Sequence, residues 1–263
     1  MGKIIAVTNQ KGGVGKTTTC INLAASLSAT KRRVLLIDID PQGNATMGSG
    51  VEKHQVIRST CNVLLGENTI SECLIRPVNA DYDLLPSNSD LTAAEVTLVE
   101  MQQRESRLRN ALDEVRDSYD YILVDCPPSL NMLTLNALVA AHSVMIPMQC
   151  EYYALEGLSA LLNTVEKIKS TVNPGLQVEG LLRTMFDPRN NLANDVSGQL
   201  LVHFPNKVYR TIIPRNVRLA EAPSHGMPVI KYDRASRGAL AYLALAGELL
   251  RRDESTPYAS TVN

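Results

Sequence analysis

Short apolar, β-branched runs recur along this chain, and most are followed by a stretch whose apolar residues return every three or four positions. Lys3-Ile4-Ile5-Ala6-Val7-Thr8, Arg33 to Asp38, Tyr121 to Asp125 and Ser143 to Met148 are such runs. Unbroken apolarity over five or six residues marks a strand covered on both faces, the habit of a parallel sheet. Tyr82 to Pro86, Gln177 to Met185 and Val208 to Ile213 read as further strands. Helical spacing predicts helices over Thr17–Ala29, Leu133–Ala141, Leu155–Thr171, Leu192–His203 and Ala235–Arg252. Met101 to Val115 also reads as a helix, and its charge predicts an exposed one. Residues 45–80 read as a surface excursion with helical pieces near Thr60 to Leu65 and Ile70 to Leu74. Strand and helix alternate, so the expectation is an α/β fold: a doubly wound, mostly parallel sheet with helices on both faces. One domain over residues 1–252 is expected, followed by a polar, disordered tail, 253–263.

Composition changes this picture little. Of 263 residues 44% are hydrophobic, enough for a sizeable core. The five cysteines (Cys20, Cys61, Cys73, Cys126, Cys150) are scattered and form no C-x-x-C pair. That predicts small buried apolar residues rather than disulfides, zinc or an iron–sulfur cluster. No signal-peptide pattern opens the sequence, and no apolar run approaches the roughly 20 residues of a membrane span, so a cytoplasmic protein is expected. Charge is uneven: Arg183 to Arg252 holds eleven Lys/Arg against five Asp/Glu, while the whole chain carries −1. A basic C-terminal third hints at a polyanion-facing surface.

The chemistry concentrates at strand ends. Asn9-Gln10-Lys11-Gly12-Gly13-Val14-Gly15-Lys16-Thr17-Thr18-Thr19 lies between the first strand and the first helix. A glycine-rich turn leading into a helix N-terminus presents backbone N–H groups to an anion. In such a loop Lys16 reaches the β- and γ-phosphates and Thr17 offers a hydroxyl to Mg²⁺. Two features depart from the common phosphate-loop pattern: Gln10 stands where glycine is usual, and Lys11 adds a second cation. Asp125 ends an apolar strand, where a carboxylate binds a metal directly or through water. Asp38 and Asp40 flank the end of another strand, where a carboxylate holds Mg²⁺ or orients an attacking water.

Gln10 to Thr17 resembles the deviant Walker A motif, x-K-G-G-x-x-K-[ST]. Asp38-Ile39-Asp40-Pro41-Gln42-Gly43-Asn44 and Val124-Asp125-Cys126-Pro127-Pro128 resemble the two switch motifs of that P-loop NTPase class. With Ile213-Pro214-Arg215-Asn216-Val217-Arg218-Leu219-Ala220-Glu221-Ala222-Pro223, the chain is similar to ParA/Soj-type chromosome and plasmid partition ATPases over about residues 2–252. The resemblance implies an Mg²⁺-dependent ATPase that dimerises on ATP, binds double-stranded DNA without sequence preference, and is stimulated by a ParB-type centromere-binding partner, nucleoid-associated and away from membranes. It implies that Lys11 crosses to the partner subunit's nucleotide, and that Gly12, Gly13, Val14, Gly15, Lys16 and Thr17 cradle ATP or ADP. Asp40 then positions the attacking water, and Asp125 belongs to the second switch and the metal's outer shell. Thr18 stands near the α-phosphate, and Pro214 and Asn216 line the adenine site. Arg189 and Arg218 are the expected DNA contacts; neither has an obvious acidic mate in the sequence. The alternatives are a membrane-associated division-site ATPase, whose amphipathic C-terminal helix is not evident here, and a metabolic ATP-dependent ligase, which needs a second substrate pocket.

Overall fold

The computed structural model describes residues 2–255. Six strands build one sheet in the order β3-β2-β4-β1-β5-β6. They are β1 Lys3–Val7, β2 Val34–Asp38, β3 Asp83–Leu85, β4 Tyr121–Asp125, β5 Ser143–Met148 and β6 Gln177–Arg183. All five pairings are parallel. Alternate residues of a strand face opposite sides, and the two cores follow that rule. Ile5 and Val7 join one cluster with Leu23 and Leu27 of α1 (Lys16–Ala29) and Leu245 and Leu249 of α12 (Arg237–Ser255). Ile4 and Ala6 join the other, with α3 (Thr60–Leu65), α5 (Leu91–Glu100), α6 (Arg107–Leu112), α7 (Met132–Ala140) and α8 (Ala154–Thr171).

Register then positions the chemistry. Asp38 stands opposite Asp125, and Asp125 opposite Val7, the last residue before the glycine-rich loop. Parallel strands share one carboxyl edge, so two carboxylates and the loop meet there.

Four expectations need correction. Val208 to Ile213 is not a strand; it runs beside β6 and the residues after it with isolated bridges, Leu181–Val208 and Phe186–Pro214, and scattered backbone bonds such as Tyr209 N–H to the Leu181 carbonyl and Ile213 N–H to the Arg183 carbonyl. Side chains fill the gap between them: Arg183 Nη2 donates to the carbonyls of Tyr209 and Arg210, and the Glu248 carboxylate accepts the N–H groups of Arg210 and Thr211. Of the helix expected over Met101–Val115 only α6 forms; α5 ends before it at Glu100, and the two are separated by a turn with Gln103 at φ 51°. Its charged residues masked Leu108 and Leu112, which are buried rather than exposed. Residues 45–80 are no surface excursion either. They supply α2 (Asn44–Gly48), α3 and α4 (Ile70–Cys73), and Cys61, Val63, Leu64 and Ile70 enter the core. The last helix runs on to Ser255, tied down by Asp253, which accepts from Lys3 Nζ (2.5 Å) and the Tyr121 hydroxyl (2.6 Å). Residues 253–255 are therefore ordered, and the rest of the expected tail lies outside the described residues. All five cysteines are free and buried, as expected.

Candidate nucleotide-binding site

The loop between β1 and α1 ends in Gly15, the N-cap of α1, at φ 87°. An L side chain adopts that backbone only with strain, which is why glycine stands there. The loop is braced from the neighbouring strands. Thr184 Oγ1 donates to the Val14 carbonyl (2.8 Å), Gln149 Nε2 to the Gly13 carbonyl (3.2 Å), and Asn9 Nδ2 to the Pro147 carbonyl (2.8 Å). Gln149 and Thr184 escaped the sequence reading. They stand just beyond β5 and β6, and the signal that singled out Asp38 and Asp125, a polar residue closing an apolar run, would have found them.

The loop's two lysines occupy different environments. Lys16 is buried, and its ammonium donates to the Lys11 carbonyl at 3.2 Å. Desolvation lowers its pKa, and the nearby carboxylates, Asp125 foremost and then Asp40, oppose that shift. Lys11 is half exposed and pairs with Glu151 of its own chain. One cation faces inward; the other is parked outside.

Beneath the loop sit three carboxylates. Thr17 Oγ1 donates to Asp125 Oδ2 at 2.7 Å, while the buried Asp125 Oδ1 has no hydrogen-bond partner. Burial, then the charge of Asp38, pushes the Asp125 pKa well up. Burial likewise raises Asp38 to about 6, although Thr46 donates to it through both its hydroxyl and its backbone N–H. Asp40 is buried, and its Oδ1 accepts the Gln42 N–H at 2.9 Å. An orphaned carboxylate oxygen beside a hydroxyl, amid charges that raise one another's pKa, fits a divalent cation. Among the described residues no group of three or more His, Cys, Asp or Glu forms a metal cage. Mg²⁺ takes one or two carboxylates and completes its shell with water and phosphate oxygens, and Asp125 beside the Thr17 hydroxyl offers one.

The remaining expected residues are placed as follows. Pro214 lines a mostly apolar cavity of about 510 Å³ with Phe186, Pro188, Ile212, Arg237, Leu240 and Ala241. Asn216 is not among the lining residues; its side chain caps α10 (Val217–Glu221) by accepting the Leu219 N–H at 3.3 Å. The Thr18 side chain is half-buried, and its carbonyl accepts from Asn22. Arg189 and Arg218 do have acidic mates. Arg189 forks onto Asp187 (2.9 and 2.7 Å), and Arg218 pairs with Glu221 (2.8 Å) and Asp233 (3.3 Å). The sequence expectation erred because these pairs span two, three and fifteen residues across turns and a short helix.

A parallel sheet in this order, with a lysine-bearing loop at its carboxyl edge and carboxylates on the adjoining strands, defines a P-loop NTPase of the ATPase kind. Residues 2–178 match the family model described as an AAA domain. The chain is 54% identical to the sporulation initiation inhibitor protein Soj of Bacillus subtilis, over 95% of this chain and 98% of that protein. It is 53% identical to the chromosome partitioning protein ParA of Myxococcus xanthus, over 96% and 89%. Among solved structures it is similar to cobyrinic acid a,c-diamide synthase of Mycobacterium smegmatis with bound ADP and magnesium (TM-score 0.85, 38% identity, 97% and 96% covered). The chain belongs to the ParA/Soj family of chromosome-partitioning ATPases.

Proposed function

We propose that this protein is a weak, Mg²⁺-dependent ATPase, one domain over residues 1–252, in which ATP drives homodimerisation and the ATP-bound dimer binds double-stranded DNA non-specifically. A ParB-type partner stimulates hydrolysis and releases the dimer, so cargo follows a cytoplasmic, nucleoid-bound population. The observation that carries this reading is the division of labour between the two lysines. Lys16 is buried against its own loop and serves the phosphates in cis. Lys11 stands half exposed on the outer limb, with only an exposed pair to Glu151, and such pairs hold about 0–1 kcal/mol. It is therefore cheaply released to a triphosphate across a two-fold interface, where a cation stabilises charge developing in the transition state. The chain's higher identity to Soj and ParA than to the diamide synthase favours partition over ligase chemistry.

Thr17 would hold Mg²⁺ directly and Asp125 would hold it from the outer shell; when bound, the ion neutralises phosphate charge. Gly12, Gly13, Val14 and Gly15 offer backbone N–H groups to the phosphates, with Thr18 near the α-phosphate. The mostly apolar Pro214 cavity takes the base, and Asn216 supports its rim. Asp40, with one oxygen committed to Gln42, keeps the other for the attacking water. Loss of the γ-phosphate removes what both Lys11 residues engage, so the dimer loosens. Arg189 and Arg218 exchange their exposed carboxylate mates for DNA phosphates.

Size-exclusion chromatography with light scattering, in ADP and in ATP, with and without duplex DNA, tests this. Wild type should dimerise only in ATP, and Asp40→Ala should remain an ATP-bound dimer on DNA. A monomer at saturating non-hydrolysable analogue would sink the reading.

A further inference from the structure

Residues 45–60 and the segment after β3 fold around Asp40, and the contacts they make form a closed ring. Asp38 Oδ1 accepts the Asp40 N–H at 3.1 Å. Asp38 Oδ2 accepts the Thr46 N–H (2.8 Å) and the Thr46 hydroxyl (2.7 Å). Thr46 Oγ1 in turn accepts the Ser87 N–H at 2.8 Å, and Ser87 Oγ donates to the Asp40 carbonyl at 2.6 Å. Asp38, Thr46 and Ser87 are all fully buried. The ring grips the Asp40 residue by its N–H and by its carbonyl, so its side chain leaves a backbone held on both sides.

The following residues are clamped as well. Lys53 Nζ donates to the Gln42 carbonyl at 2.6 Å. Gly43 takes φ 62°, and a Cβ there would come within 3.0 Å of both the Ser87 carbonyl and the Lys53 Cδ. The turn that carries Asp40 is thus pinned between Ser87 on one side and Lys53 on the other.

We propose that Ser87 is a positioning residue for ATP hydrolysis, acting with Thr46 and Asp38 to hold Asp40 where it meets the attacking water. The proposal rests on the reading of Asp40 given above. It also gives Asp38 a different task from Asp40. Three donors already occupy both Asp38 oxygens, so Asp38 belongs to the frame and not to the metal or the water. Ser87 touches no reacting atom; it sets the peptide from which a reacting side chain projects. Misplacement of a catalytic group by an ångström costs on the order of a hundredfold in rate, and a buried hydrogen bond of this kind is what prevents it.

The test is single-turnover ATP hydrolysis, ADP affinity and thermal unfolding of Ser87→Ala, Thr46→Val and Thr46→Ser, beside Asp40→Ala. Ser87→Ala and Thr46→Val should slow hydrolysis about ten- to a hundredfold with ADP affinity unchanged. Thr46→Ser keeps the hydroxyl and should hydrolyse ATP like wild type. If Ser87→Ala and Thr46→Val hydrolyse normally while Asp40→Ala is inactive, the positioning role is overturned and the Asp40 assignment survives. If Asp40→Ala itself hydrolyses normally, the Asp40 assignment is what fails. Should both ring variants lose ADP affinity and thermal stability along with rate, the ring is structural and the proposal falls. Thr46→Val keeps the side-chain shape but orphans the buried Ser87 N–H, so the unfolding measurement is read for each variant. Thr46→Ser, which keeps the hydroxyl, reports if either of the others does not fold: hydrolysis far below wild type in a folded Thr46→Ser would overturn the role given to the ring.

Discussion

The two edges of the sheet treat charge in opposite ways. At the amino edge a cluster of partly buried charges is answered. Lys3 of β1 bridges Glu179 of β6 (2.7 Å) and Asp253 of α12 (2.5 Å); Ser143 and Tyr121 donate to the same two carboxylates. At the carboxyl edge a buried ammonium settles for a carbonyl, two buried aspartates face each other, and one oxygen of Asp125 has no partner. The first arrangement closes the molecule, joining the first strand to the last helix. The second leaves a buried oxygen and a buried ammonium that, on the proposed reading, a cation and a phosphate would satisfy. That reading gathers stability at one edge and function at the other, and the comparison is sharpest where a variant touches one edge alone.

The largest separation should come from Lys16→Ala. Removing the cation that meets the phosphates should cost roughly 2–5 kcal/mol of nucleotide affinity, read by titration with a fluorescent ADP analogue, while the melting temperature of the nucleotide-free protein holds. The converse is Lys3→Met. It leaves Glu179 and Asp253 short of their shared cation and should remove roughly 3 kcal/mol of stability in urea unfolding, with ADP affinity unaltered. If either variant moves both properties together, the division between the edges is wrong.

A smaller effect lies in pH. Burial holds Asp38 up at about 6, so between about pH 4 and pH 6 the folded protein binds the extra proton and stability falls as pH rises. His142, at the amino edge, accepts the Ile4 N–H on Nδ1, and burial lowers its pKa to about 4. Its contribution is complete above the unfolded value near 6.5 and is lost as pH falls through about 4, the opposite slope. The two oppose each other in wild type. Asp38→Asn should therefore leave a curve that rises with pH by about 1–2 kcal/mol more than wild type between pH 4.5 and 6, and His142→Gln should leave one that falls. Urea midpoints at the two pH values measure this; equal slopes in both variants would contradict it.

The smallest effect on the fold should come from Arg189→Glu and Arg218→Glu, both exposed. ATP-driven dimerisation should persist, and binding to duplex DNA should drop. The wild-type affinity should fall steeply with added salt, as phosphate contacts require. Loss of dimerisation in either variant would make that arginine structural.

Much of this was readable before folding. Strand positions follow from unbroken apolar runs, and the phosphate loop from glycines and lysines at fixed spacing, because both signals are local. The candidate residues follow the same local signals: the loop's lysines and Thr17 the glycine spacing, Asp40 and Asp125 the ends of apolar runs. What local pattern could not carry is which side chains stand in for backbone. Val208 to Ile213 looks like a strand, and the side chains of Arg183 on the neighbouring strand and Glu248 on the last helix take up the backbone groups of its middle residues. The mates of Arg218, the bracing by Gln149 and Thr184, and the ring through Ser87 are likewise products of packing. Apart from the Arg218–Glu221 pair, each depends on a partner 15 to 170 residues away, and such a partner is chosen by the register of the sheet and the layering of its helices. Chain chemistry specifies the parts and the edge where they gather; three-dimensional closure decides which of the buried polar groups are answered and which are left waiting for a ligand.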